Sequence, residues 1–267
     1  MNAARIYAIL LRQFYLLQES KARLFSLFIW VAIDMVLWGF ITKYLGQIVE
    51  PGFHAVPVFL GAILMWDFLS RVMQGVTMAF FEDVWSRNFL NMFASPISIA
   101  EYLAGLVLSS IVTSAIGLAV MLLMAGLVFG FSGFAYGVMF APFLFILFLC
   151  GIALGILGSA IVLRLGPAAE WFIWPIPALI SPFACVFYPM STLPTWMQAI
   201  SHLLPPSYVF ENMRAIVAGH AVSTSGLIGA GALAVGYILL ACWGFLRVYK
   251  LAVRSGLIAR YSAESLS

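Results

Sequence analysis

The sequence predicts an all-α integral membrane protein, and three observations carry that prediction. Hydrophobic residues fill 64% of the 267 positions and charged residues only 9%, with a mean hydropathy of +1.08. A soluble domain carries about 25% charged residues. Six apolar runs approach or exceed the roughly 20 residues that a helix needs to cross the hydrocarbon core. The positive charges, finally, gather on one side of those runs, which is how multi-pass topology is set.

The first element is an N-terminal amphipathic helix within residues 1–24. Ile6, Ile9, Leu10, Phe14 and Leu17 recur at helical spacing, interrupted by Arg5, Arg12, Gln13 and Glu19. That pattern suits a helix lying in the membrane interface; the alternative is a frayed, solvated terminus. The same charges interrupt any apolar core of a cleavable signal peptide, and none is expected. Spans are predicted at 25–45, 57–81, 103–129, 137–163, 171–187 and 226–246, forming one membrane domain over 25–246 and leaving a tail at 247–267.

Placing the N-terminus in the cytoplasm puts Arg5, Arg12, Lys21, Arg23, Arg87, Arg164, Arg247, Lys250, Arg254 and Arg260 on the inner face, ten of the 13 basic residues. Lys43 and Arg214 fall on the outer side and Arg71 within the second span. Both termini are therefore expected in the cytoplasm. The net charge of +3 is too small to suggest nucleic-acid binding. Cys150, Cys185 and Cys242 lie far apart inside apolar runs, and His54, His202 and His220 are equally scattered. Neither set suggests a disulfide framework or a metal site.

The fifth span is unlike the others. Pro175, Pro177, Pro182, Pro189, Pro194, Pro205 and Pro206 are seven of the chain's 12 prolines. Proline removes a backbone donor and stops or kinks a helix, and broken backbone at membrane depth is tolerated only where protein or a water-filled cavity surrounds it. The expectation is a short helix that breaks near the surface, followed by a re-entrant helical element over 188–225.

Charge within the spans is costly and marks residues for scrutiny. Asp34 lies in the first span, and Asp67 and Arg71 lie in the second, four apart with the acid first. That order favours an ion pair. Either the pair neutralises itself, with Asp34 joining to lock two helices together, or the three line a polar path. Gly151, Gly155 and Gly158 in the fourth span, and Gly229, Gly231 and Gly236 in the sixth, form small faces that allow helices to approach closely.

Between the second and third spans, residues 82–98 carry Glu82, Asp83 and Arg87, then Phe89, Leu90, Met92 and Phe93, then a Ser95-Pro96 stop. Such a helix offers apolar side chains to a partner protein or to the membrane surface. No Gly-x-x-x-x-Gly-Lys-Ser/Thr motif occurs, so no P-loop nucleotide site is expected, and no His-Glu-x-x-His or Gly-x-Ser-x-Gly motif supports catalysis.

Two stretches resemble the type-2 ABC exporter permeases, the family of polysaccharide, lipo-oligosaccharide and drug exporters. They are Ala94-Ser95-Pro96-Ile97-Ser98 and the series Phe187, Tyr188, Pro189, Leu193, Pro194, Trp196, Leu204, Pro205, Tyr208 and Arg214. One departure is Asn88-Phe89, where members often carry Gly-Thr. The resemblance implies a six-span permease of the bacterial cytoplasmic (inner) membrane that pairs with a second copy, as a homodimer, and binds two ATPase subunits. The chain itself would hold no cofactor; ATP and Mg would sit on the ATPase.

It further implies that residues 82–98 form a coupling helix, with Glu82, Asp83, Arg87, Phe89, Leu90, Phe93, Ser95 and Pro96 at the ATPase contact. Tyr188, Pro189, Pro194, Trp196, Pro205, Tyr208 and Arg214 would form the outer gate. The substrate, a glycan, a lipid-linked sugar or a hydrophobic small molecule, would leave at the dimer seam. The competing classes are a stand-alone secondary carrier, which would show two matched broken halves, and an embedded lipid-modifying enzyme, which would need clustered His, Asp or Glu.

Overall fold

The computed structural model describes residues 2–19, 21–48, 56–86, 92, 95–166 and 169–256. No strand occurs among them, and helices account for most of the chain. Helix α1 spans Ala3–Glu19 and α2 spans Lys21–Ile48. A π-helical turn at Val56–Leu60 leads into α3, Gly61–Trp85. Then come α4 (Ile99–Phe129), a 3-10 turn (Gly133–Met139) and α5 (Phe140–Leu165). Short helices α6 (Glu170–Ile173), α7 (Ile176–Ile180), α8 (Thr195–Ser201) and α9 (Pro205–Val217) precede the long α10, Thr224–Arg254. Three 31-residue helical stretches, Ile99–Phe129, Ala135–Leu165 and Thr224–Arg254, are long and apolar enough to cross a membrane.

Helix α3 is the centre of the bundle, packed between α4 and α5, while α5 also packs along α10. Leu64, Leu69, Val72, Val76 and Phe80 of α3 have no exposed surface. The approach of α5 is what buries them. A Cβ added at Gly151 would fall 2.7 Å from Val72 Cβ and 2.8 Å from the Leu69 carbonyl oxygen. One added at Gly155 would fall 2.7 Å from Val76 Cβ and 2.9 Å from the Met73 carbonyl oxygen. The glycines expected to form a small face therefore do so, and backbone lies against side chain with no room for a methyl. Hydroxyls fasten the same contacts: Thr77 Oγ1 donates to the Gly155 carbonyl at 3.2 Å, and Ser110 Oγ of α4 donates to the Val72 carbonyl at 2.8 Å.

The last span departs from its expectation. A Cβ at Gly229, Gly231 or Gly236 meets nothing within 4 Å. Helix α10 buries Leu227, Ala230, Ala234, Ala241, Phe245 and Ala252 instead, so its close packing rests on alanines and its glycines lie off that stripe.

The fifth expected span also differs, since it is not one helix. Helical structure there covers Trp171–Ile180, interrupted by a turn at Trp174 and Pro175 and ended before Ser181-Pro182. Ten residues rise only about 15 Å, half of a hydrocarbon core of about 30 Å. Proline at 175 and 177 allows a fresh helical start but not continuation. Beyond it Cys185, a fully buried residue, takes a left-handed backbone with φ of 57°.

The α3–α5 contact yields the first prediction. Gly155→Val drives three carbons against Val76 and the Met73 carbonyl and is expected to cost about 2 kcal/mol through overpacking. Gly236→Val, added to open space, should leave stability unchanged. Thermal melting of the two variants in detergent distinguishes them; equal melting temperatures would remove the close approach as a source of stability.

Candidate functional site

The expected coupling segment is bounded by two well-built helix ends. Helix α3 ends at Trp85, where the Ser86 amide donates to the Glu82 and Val84 carbonyls. Helix α4 starts from a reciprocal cap: Ser98 Oγ accepts from the Glu101 amide at 3.3 Å, and Glu101 Oε2 accepts from the Ser98 amide at 2.9 Å. This is a capping box, which satisfies two otherwise orphaned donors. Between the two ends, Arg87, Phe89, Leu90 and Phe93 lie outside the described residues. Met92 packs against the core, Ser95 is half-buried, and Pro96 is exposed.

Both ends are fastened to α1. Asp83, with no exposed surface, forms an ion pair with Arg12 of α1 and accepts a hydrogen bond from Tyr102 Oη of α4 at 2.7 Å. Burial disfavours the charge on Arg12, but the hydrogen bond and the attraction of Asp83 outweigh it and hold the guanidinium's pKa above its ordinary value. Two turns further toward the N-terminus, Glu101 accepts from the Asn2 amide at 2.6 Å and pairs with Arg5 Nη1 at 3.5 Å. Ile9 lies between these contacts, against Gly105 of α4. Helix α1 thus bridges the end of α3 and the start of α4. Asp83, expected at a partner contact, has its carboxylate directed into the chain's own interior. Glu82 beside it is half-buried.

The charges in the middle of the bundle are brought together. Arg71 Nε donates to Asp67 Oδ2 at 2.7 Å, along one face of α3. The aliphatic part of Arg71 rests where Gly117 of α4 has no side chain; a Cβ there would lie 3.2 Å from Arg71 Cδ. Asp34 of α2, half-buried, lies within electrostatic reach of both. Two acids and one base from two helices thus share one site. Further along α3, Met73, Gln74, Thr77 and Met78 line a small crevice with Ile173, Trp174 and Pro177 of the broken segment.

The third cluster is the expected outer gate, a hydrogen-bonded cap and not a loose loop. Glu211 Oε1 accepts from the Met190 amide at 2.6 Å and from Arg214 Nη2 at 2.9 Å, while Arg214 Nη1 donates to the Val186 carbonyl at 3.3 Å. Tyr188 Oη donates to the Pro182 carbonyl at 2.7 Å, and burial pushes its phenol pKa up. Tyr208 Oη donates to the His202 carbonyl at 2.9 Å. Pro194 caps α8, Pro205 opens α9, Pro189 is exposed, and Trp196 is exposed with its edge toward Phe183. Among the described residues no group of His, Cys, Asp and Glu has the geometry to hold a metal ion.

A family model described as ABC-2 type transporter matches residues 5–218. The chain belongs to the ABC-2 family. No curated relative matches it. As an ABC-2 permease it is a multi-pass membrane protein and the transmembrane component of a transporter. The matched region takes in all three clusters and ends one residue after α9, so α10 lies beyond it.

Several residues of this permease escaped the sequence reading. Glu101 was legible from Ser98-Ile99-Ala100-Glu101, a capping-box spacing ahead of an apolar run. Glu211 was legible as an acid three residues before Arg214. Nothing local in the sequence joins Arg12 or Tyr102 to Asp83.

Two ion pairs of the permease can be tested in one way. Arg12→Met leaves the Asp83 carboxylate buried with only Tyr102, which is expected to cost about 3 kcal/mol; the double variant Arg12→Met/Asp83→Asn should recover most of that. Arg71→Met and Arg71→Met/Asp67→Asn should behave likewise. Detergent melting of singles against doubles checks both pairs, and doubles no better than singles would show that neither pair is held by charge.

Proposed function

We propose that this ABC-2 permease is the membrane half of an ATP-driven exporter. Two copies pair, each binds one separately encoded ATPase subunit, and ATP and Mg are held there. Substrate moves outward at the seam between the copies. The substrate class that suits an apolar route with aromatic side chains at its exit is a glycan, a lipid-linked sugar or a hydrophobic small molecule. Both termini and the segment 82–98 face the cytoplasm, in keeping with the ten basic residues on that side, and the membrane is the bacterial inner membrane.

The observation that supports this reading is the double fastening of α1. An ATPase pushing on a loop between two helices does no work if the loop yields. Here the two helix ends leading into that loop are joined through Arg12–Asp83–Tyr102 and through Asn2 and Arg5 to Glu101. A push on the segment between them is therefore delivered to α3, the most deeply packed helix, and to the whole bundle around it. Apolar anchors in a charged rim are what a partner interface uses to concentrate its binding energy, and Phe89, Leu90 and Phe93 stand beside Glu82 and Arg87 in sequence.

Phe89→Ala with Phe93→Ala should leave the melting temperature of the permease within a degree or two and reduce copurification of its ATPase about tenfold or more. Transport in membrane vesicles should fall in parallel. Unchanged transport by the double variant, with no ATPase recovered alongside the wild type, would overturn the exporter reading in favour of a carrier that works alone.

A further inference from the structure

We propose that the outward face of α10 at its C-terminal end is a binding site for the headgroup of an anionic phospholipid. Four residues make it: Trp243, Arg247, Lys250 and Arg254, all exposed. Their spacing of four, three and four places them within an arc of about 60° on a helix of 3.6 residues per turn. The buried stripe of the same helix, through Ala234, Ala241, Phe245 and Ala252, lies on the opposite side. The cations therefore point away from the protein.

Depth places them among headgroups. The expected apolar span ends at Leu246, and the helix continues for eight more residues to Arg254. Eight residues rise about 12 Å, whereas the interfacial layer on each side of the core is about 5–8 Å thick. Arg247 and Lys250 thus project sideways into the headgroup layer, and Arg254 follows about one turn beyond it. Trp243 sits one turn inward, at the level where indole rings favour the interface. The Arg247 guanidinium lies 4.7 Å above the Trp243 ring centroid, which holds it alongside the helix and within the layer.

Among the described residues the charge is not neutralised from within. Helix α10 contains no Asp or Glu, nor does α5, which packs along it and adds an exposed Arg164 in its own last turn. Among the described residues none of Arg247, Lys250 and Arg254 forms an ion pair. Helix α3, which ends in Glu82 and Asp83, meets α10 through Phe80 and Phe245, on the buried side. Topology alone explains why cations collect at this end of the chain. It does not explain three on one face, turned to lipid, beneath an aromatic ring. A phosphate-bearing lipid of net negative charge supplies what the chain withholds. This inference is independent of the ATPase, and its test reads lipid and partner separately.

The measurement is native mass spectrometry of the detergent-purified full chain, titrated with phosphatidylglycerol or with phosphatidylcholine of the same acyl chains. The wild type should retain phosphatidylglycerol in preference, and that preference should fall as ionic strength rises. A cation near an anionic headgroup contributes about fivefold, so Lys250→Gln should lower the preference by about that factor. Arg247→Gln/Lys250→Gln/Arg254→Gln should bring the two lipids to parity at unchanged melting temperature. Full preference in the triple variant would overturn the site. So would a triple variant that keeps its preference but loses its ATPase, since the stripe would then be a protein surface.

Discussion

The hydrocarbon core of a membrane offers no partner to a charge, so a charge buried in the bundle must be answered from within it. Asp83 shows the constraint most clearly. It ends the most deeply packed helix, has no exposed surface, and is met by a guanidinium from α1 and a phenol from α4. The position of α1 follows from that need. An interfacial helix held only by its apolar face would be free to slide, but Arg12 fixes its depth and Arg5 and Asn2 fix its direction. Asp67 and Arg71 obey the same rule on a single helix, where the four-residue spacing makes a second helix unnecessary for the pairing itself.

Close packing supplies the other half of the constraint. Helices in lipid gain little from burying apolar surface against one another, so contact distance matters more than hydrophobicity. The glycines of α5 bring α3 to backbone contact, and hydroxyls of Thr77 and Ser110 then reach carbonyls on neighbouring helices. A bundle fastened in this way resists shear between α3, α4 and α5. Helix α3 thereby connects the Asp83 end to the Asp67–Arg71 pair and, at Trp66, to Phe210 of α9.

Much of this was legible. The apolar runs overlap α2 to α5 and α10, although α10 continues eight residues past the expected 246, and the run of prolines coincides with the break. The place of the break was not legible: the short helix was expected to run to 187, whereas it is interrupted at Trp174 and Pro175 and ended before Ser181. The small faces at Gly151 and Gly229 read alike in sequence, yet only the first meets a neighbour. Spacing shows that a face is smooth and cannot show which way it turns. Arg12 and Asp83 are 71 positions apart, and no periodicity links them. The capping box and the Glu211–Arg214 pair were local signals that a reading centred on hydropathy passed over.

Cys185 ties the outer cap to the same logic. A non-glycine residue in the left-handed region costs about 1–3 kcal/mol and persists only where its surroundings over-determine it. Its neighbours do so from three directions. Tyr188 returns to the Pro182 carbonyl, Arg214 reaches the Val186 carbonyl, and Glu211 holds the Met190 amide. The sharp reversal at Cys185 is thereby built into α9, since both Glu211 and Arg214 belong to that helix. Backbone and ion pair form one unit, so the cap cannot loosen at Tyr188 or Pro189 without releasing the strain at Cys185 and breaking the Arg214 contacts together. Glu211 and Arg214 join α9 to the Val186–Met190 segment, so a displacement that keeps these bonds must carry the helix and that segment together.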